Sequence, residues 1–98
     1  MIERPIVIDV DRHLIAKGDK RCRLTHREML LVTYLAAHPG FVRSRNQIMD
    51  HVYGVDYYIN DRSIDCLVKR TRRTVFAALG ECPIGTQHGA GYFWRETP

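Results

Sequence analysis

Short apolar-rich runs frame the chain at both ends, while the middle follows a three-to-four-residue rhythm. Pro5-Ile6-Val7-Ile8-Asp9-Val10, His13-Leu14-Ile15-Ala16 and Arg21-Cys22-Arg23-Leu24 read as short strands, the last two joined through Lys17-Gly18-Asp19-Lys20. Gly-Asp is a turn signal, so the opening predicts a small antiparallel meander. Thr25-His26-Arg27-Glu28 follows as a capping box, with a helix continuing from Met29 to Ala37. Met29, Val32, Leu35 and Ala36 share its apolar stripe, and Pro39 in His38-Pro39-Gly40 disfavours helix just before it. Ser44-Arg45-Asn46-Gln47 repeats the signature and starts a second helix, with Ile48, Met49, Val52 and Tyr53 inward and Gly54 as its C-terminal stop.

Val55 to Asn60 reads as a loop, and Asp61 as the N-cap of a third helix that reaches Leu79 and is closed by Gly80. At about 100° per residue, Ile64, Leu67, Val68, Thr71, Val75 and Leu79 fall within one arc. Arg62, Cys66, Lys69, Arg70 and Arg73 fall on the opposite one. One stripe is built for burial and the other for water. Residues 81–96 form two short strands around His88-Gly89-Ala90-Gly91, a hairpin. The order of strands, three helices and hairpin predicts an α+β winged helix-turn-helix, whose second motif helix suits a major groove.

Charge sharpens this. The 98 residues carry 15 Lys+Arg against 11 Asp+Glu, a modest excess, but five of the bases lie between Arg62 and Arg73 with Asp65 as the lone acid among them. From position 74 onward Arg95 is the single Lys or Arg. A concentrated basic face points to nucleic acid as the leading partner class. Length allows one core, so residues 1–98 are expected to form a single domain. No apolar run approaches the 18–20 residues or so that span a bilayer, and the N-terminus lacks a signal-peptide pattern, so a cytoplasmic protein is expected. Cys22, Cys66 and Cys82 are widely spaced and form no CxxC pair, so neither a disulfide framework, a metal site nor a cofactor is expected. No nucleophile–base set stands out, and Gly85 to Gly91 lacks the Lys-Ser/Thr of a P-loop, so no enzymatic activity is expected.

Several segments together resemble the effector domain of OmpR/PhoB-type response regulators. They are Leu24-Thr25-His26-Arg27-Glu28, His38-Pro39-Gly40-Phe41-Val42-Arg43-Ser44-Arg45, Val52-Tyr53-Gly54, Asn60 to Asp65 with Lys69-Arg70, and Gly89-Ala90-Gly91-Tyr92. The resemblance implies a four-stranded N-terminal sheet, three helices and a hairpin wing. It also implies regulation of transcription by binding tandem DNA half-sites head to tail. The phosphoacceptor receiver that usually precedes this domain is not in the sequence, which fits an excised effector domain or a stand-alone variant.

Carried onto these positions, the resemblance implies that Arg70 reads bases and Cys66 lies against a base edge. Arg62, Ser63 and Lys69 would hold phosphates, as would Arg45, Tyr53, Thr86 and Tyr92, and Arg73 completes the DNA-facing set. The segment from Gly54 to Asn60 matches the part that can contact RNA polymerase. The family usually offers an Arg to the minor groove where this chain has His88, a weaker attraction for that groove. Thr71 stands where the family generally has a core leucine. Arg72 lies between the two faces, suited to pairing with Asp65 or another acid. Asp65 itself is better read as an ion-pair partner for a nearby Arg than as a DNA contact, and Trp94 as core. The competing function is a winged-helix protein-interaction module that binds an acidic partner without sequence-specific DNA recognition.

Overall fold

The computed structural model describes residues 6–54 and 61–95, without the side chains of Asp61 and Arg62. Three strands open the chain: β1 (Ile6–Asp9), β2 (Leu14–Lys17) and β3 (Lys20–Arg23), in the antiparallel order β1-β2-β3. The expected four-stranded sheet is thus three-stranded among the described residues. The β2–β3 turn is tighter than the sequence suggested. Lys17 pairs with Lys20, leaving Gly18 (φ 60°) and Asp19 as a two-residue loop. A glycine at the first central position matches the right-handed twist of the flanking strands.

Helix α1 (His26–Ala36) starts at its capping box: the Thr25 hydroxyl accepts from the Glu28 amide at 3.2 Å, and a Glu28 carboxylate oxygen accepts from the Thr25 amide at 2.9 Å. Helix α2 (Arg45–Tyr53) starts the same way, with Ser44 and Gln47 at 3.1 and 2.9 Å. It stops at Gly54, whose φ of 98° an L side chain rarely adopts. Helix α3 runs from Asp61 to Leu79, so Asp61 belongs to the helix itself rather than capping it. The hairpin follows as β4 (Ile84–Gln87) and β5 (Gly91–Trp94), with Ile84 opposite Trp94 and Gln87 opposite Gly91.

The core lies where α3 crosses α1, α2 and the N-terminal sheet. All six residues of the expected α3 stripe are buried: Ile64, Leu67, Val68, Thr71, Val75 and Leu79. Each fully buried aliphatic side chain contributes roughly 1.5–3 kcal/mol relative to exposure. Thr71 buries less apolar surface, but its hydroxyl donates to the Leu67 carbonyl at 2.7 Å, so its polar atom is satisfied within the helix. Helix α1 is buried beyond its predicted stripe. Leu31 is fully covered, while Ala36 is only half-buried, because α2, α3 and β5 all pack against this helix.

One element escapes the sequence pattern. The segment between α1 and α2 runs alongside β5 as a short third strand. The Gly40 amide donates to the Trp94 carbonyl at 2.7 Å, and Arg43 and Tyr92 exchange two bonds at 2.7 and 3.0 Å. The hairpin is therefore fastened to the helical core along β5. Gly91 makes the approach possible. A Cβ at this position would stand 2.8 Å from the Arg43 carbonyl carbon and closer still to its oxygen.

Candidate nucleic-acid interface

Burying one stripe of α3 turns the opposite face to solvent, and Cys66, Lys69, Arg70 and Arg73 are all exposed there. Among the described residues, Lys69 and Arg73 make no ion pair. Ser63, one turn before Cys66, is half-buried. Arg62 falls on the same face by helical spacing, though its side chain lies outside the described residues. So does the loop over 55–60, including Tyr57, Tyr58 and the segment that the resemblance links to RNA polymerase.

Arg70 has a partner that its place on the outward face did not suggest. Its Nε lies 3.7 Å from Glu28 Oε2, with the Arg70 side chain 61% exposed and that of Glu28 only 5%. Asp65 joins three elements. One of its oxygens, Oδ1, accepts from Arg45 Nε at 2.8 Å and from the Tyr92 hydroxyl at 2.6 Å. Helix α2, α3 and the hairpin thus meet on one carboxylate, and the ion pair expected for Asp65 is made with Arg45. The hydrogen bond from Arg45, and then that from Tyr92, hold the Asp65 carboxyl below the usual carboxylate range. Tyr92 is buried; that burial, followed by its bond to Asp65, pushes its phenol up.

This bond has a pH signature. A carboxyl whose folded-state pKa lies below its unfolded value of about 3.9 adds stability above that value and loses it as pH falls through the folded pKa. Thermal melts of the wild type are expected to show a midpoint that declines below about pH 4, with a shallower decline in Asp65→Asn. Identical pH profiles would deny Asp65 this role. Both partners are partly solvated, with side chains 42% exposed, so the effect is modest.

Among the described residues Arg72 pairs with no acid, contrary to expectation. Its Nε donates to the Ile84 carbonyl at 3.2 Å, its Nη2 donates to the Thr86 hydroxyl, and its guanidinium lies 5.4 Å from the Tyr92 ring centroid. The half-turn between the buried and wet stripes aims it at the hairpin, where it braces β4. Thr86 is exposed next to it, and His88 is exposed in the turn between β4 and β5. Tyr53, at the end of α2, is half-buried under Arg27, 4.3 Å from its ring centroid. Trp94 is buried as core. Two groups stand out among the predicted residues. Cys66, Lys69, Arg70 and Arg73 make a solvent-facing row, whereas Arg45 and Tyr92 are engaged with Asp65 and Thr86 with Arg72. Sequence reasoning missed Glu28, whose only visible signal was its capping role, and Gly91 as the close-approach position.

Cys22, Cys66 and Cys82 are free thiols, and burial pushes those of Cys22 and Cys82 up. Among the described residues, no helix is long and apolar enough to cross a membrane.

A helical pair with the basic helix second, followed by a hairpin docked on the core, defines a winged helix-turn-helix. Residues 19–94 match the family model described as "Transcriptional regulatory protein, C terminal". The chain is 34% identical over 87 residues to the phosphate regulon transcriptional regulatory protein PhoB of Rhizobium meliloti (strain 1021), covering 89% of this chain but 38% of that relative. Among solved structures it is similar to the DNA-binding domain of Bacillus subtilis CssR, with 30% identity, a TM-score of 0.79, and coverage of 92% of this chain and 99% of that one. The Klebsiella pneumoniae RstA DNA-binding domain, solved in complex with the RstA box, shares the fold at 24% identity and a TM-score of 0.78, covering 97% and 95% of the two chains. The chain belongs to the OmpR/PhoB-type family of response-regulator DNA-binding domains, a family of transcription regulators rather than of enzymes.

Proposed function

We propose that this chain binds double-stranded DNA sequence-specifically, with α3 in the major groove and the hairpin near the minor groove. The observation that carries this reading is the solvent-facing row on α3, combined with the bracing of that helix to α2 and the hairpin through Asp65. A major groove admits one helix and offers a distinct donor–acceptor pattern for each base pair. Arg70 reads bases, Cys66 lies against a base edge, Arg62, Ser63 and Lys69 hold phosphates, and Arg73 completes the DNA-facing set. Arg45 (through its terminal nitrogens), Tyr53 and Thr86 hold phosphates beside them. Tyr92, whose hydroxyl proton goes to Asp65, steadies the carboxylate that holds Arg45 rather than a phosphate, and His88 at the wing tip faces the minor groove. Residues 1–98 act as one binding unit. The relative captured with its DNA box supports the same direction for this chain, and two copies would occupy a direct repeat head to tail.

Selection from a random duplex library tests the proposal, followed by anisotropy on the selected and scrambled duplexes at several salt concentrations. An enriched direct repeat spaced by about one helical turn, with a clear affinity gap near physiological salt, is the expected result. Lys69→Ala is expected to weaken both duplexes alike and flatten the salt slope by about one unit. No enriched motif, together with binding that vanishes as salt rises, would leave a protein-interaction module as the better reading.

A further inference from the structure

We infer that Glu28 is a positioning residue for base recognition: its buried carboxylate holds the Nε side of Arg70, presenting the terminal nitrogens outward. The inference rests on the base-reading role proposed for Arg70. Two capping boxes in the same chain make the case. At α2 the box is closed by Gln47, a neutral and exposed side chain, at 2.9 Å. Capping therefore requires one acceptor oxygen and no charge. At α1 the same task falls to a carboxylate with a side chain 5% exposed. Only Oε1 is used by the Thr25 amide, at 2.9 Å, while Oε2 faces Arg70 Nε at 3.7 Å.

A buried carboxylate is costly without a cation, and here the cation comes from the outward face of another helix. The contact is longer than a hydrogen bond, so Glu28 orients Arg70 through charge and leaves the guanidinium outwardly accessible. The geometry of the planar fork does the rest. With Nε facing Glu28, the edge between the two Nη atoms carries no ion pair among the described residues, and it is this edge that can pair with guanine O6 and N7.

The test compares wild type, Glu28→Gln, Arg70→Ala and the double variant on the selected and scrambled duplexes. Glutamine keeps an oxygen for the Thr25 amide and removes the charge. Releasing one rotamer-rich side chain costs about 0.5–1.5 kcal/mol, so Glu28→Gln is expected to cut the selected-to-scrambled affinity ratio about 2- to 12-fold. In the Arg70→Ala background it should change that ratio no further. A ratio untouched by Glu28→Gln but collapsed by Arg70→Ala would overturn the positioning role alone. A ratio untouched by Arg70→Ala would overturn the base-reading role and this inference with it. If Glu28→Gln does not fold, side-chain ¹⁵N relaxation of the wild type decides instead. Arg70 Nε–H is expected to be as restricted as that of Arg45, whereas an order parameter below about 0.6, matching exposed Arg73, would overturn the inference.

Discussion

Replacing Gly91 with alanine is expected to lower the unfolding midpoint by at least about 12 °C, since a loss of about 3 kcal/mol shifts a domain of this size by roughly 4–8 °C per kcal/mol. Two effects combine. The φ of 146° lies outside the range that L side chains readily adopt. The new methyl would also stand against backbone, 3.0 Å from Ser44 Cα and 2.8 Å from the Arg43 carbonyl carbon. Backbone cannot rotate aside as a side-chain tip can. Relief would require parting β5 from the Arg43 segment, which breaks the paired bonds between Arg43 and Tyr92. Gly89, at φ 80° with open space around it, provides the control. Gly89→Ala is expected to carry the conformational cost without the clash and to lose clearly less. Equal melting losses for the two variants would refute close approach as the reason for Gly91.

Arg70→Ala is expected to weaken binding to the selected duplex by about 1–3 kcal/mol, or about 5- to 150-fold, while changing scrambled DNA much less. A bidentate guanidinium–guanine pair is lost, and no neighbouring side chain of this row has the same inward anchor. The variant also leaves Glu28 buried with its capping bond alone, so a small fall in melting temperature should accompany it. Arg70→Lys separates the two effects. Lysine supplies a cation for Glu28 and for phosphate but has no planar fork. Its melting temperature should recover while discrimination stays low. Equal losses on both duplexes for Arg70→Ala would sink the base-reading role.

The parts of this fold that depend on near neighbours were readable from sequence. Both capping boxes close within four residues, and the buried stripe of α3 follows from helical spacing alone. The Gly40–Arg43 segment shows no strand alternation, because its extended shape comes from bonding to β5 about fifty residues later. Arg72 illustrates the same limit. Helical spacing placed it between two faces, but only the docked hairpin supplies the Ile84 carbonyl and Thr86 hydroxyl that take up its donors. At the candidate interface, helical spacing and the run of bases picked out the face of α3 that the fold leaves exposed. Which of its cations are already committed was invisible, since Glu28 and Arg70 meet only after α1 and α3 pack. The wing residues were legible as a hairpin through Gly89 and Gly91, while the bond from Tyr92 to Asp65 required the tertiary arrangement.

The shared oxygen of Asp65 has a thermodynamic consequence. Because α2, α3 and β5 converge on it, a ligand lying across all three meets a surface whose mutual orientation was fixed when the chain folded. The entropy of aligning helix and wing is then a folding cost rather than a binding cost. Affinity at such a surface is governed by the outward side chains alone, so exchanging them retunes the choice of ligand without rebuilding the frame that carries them.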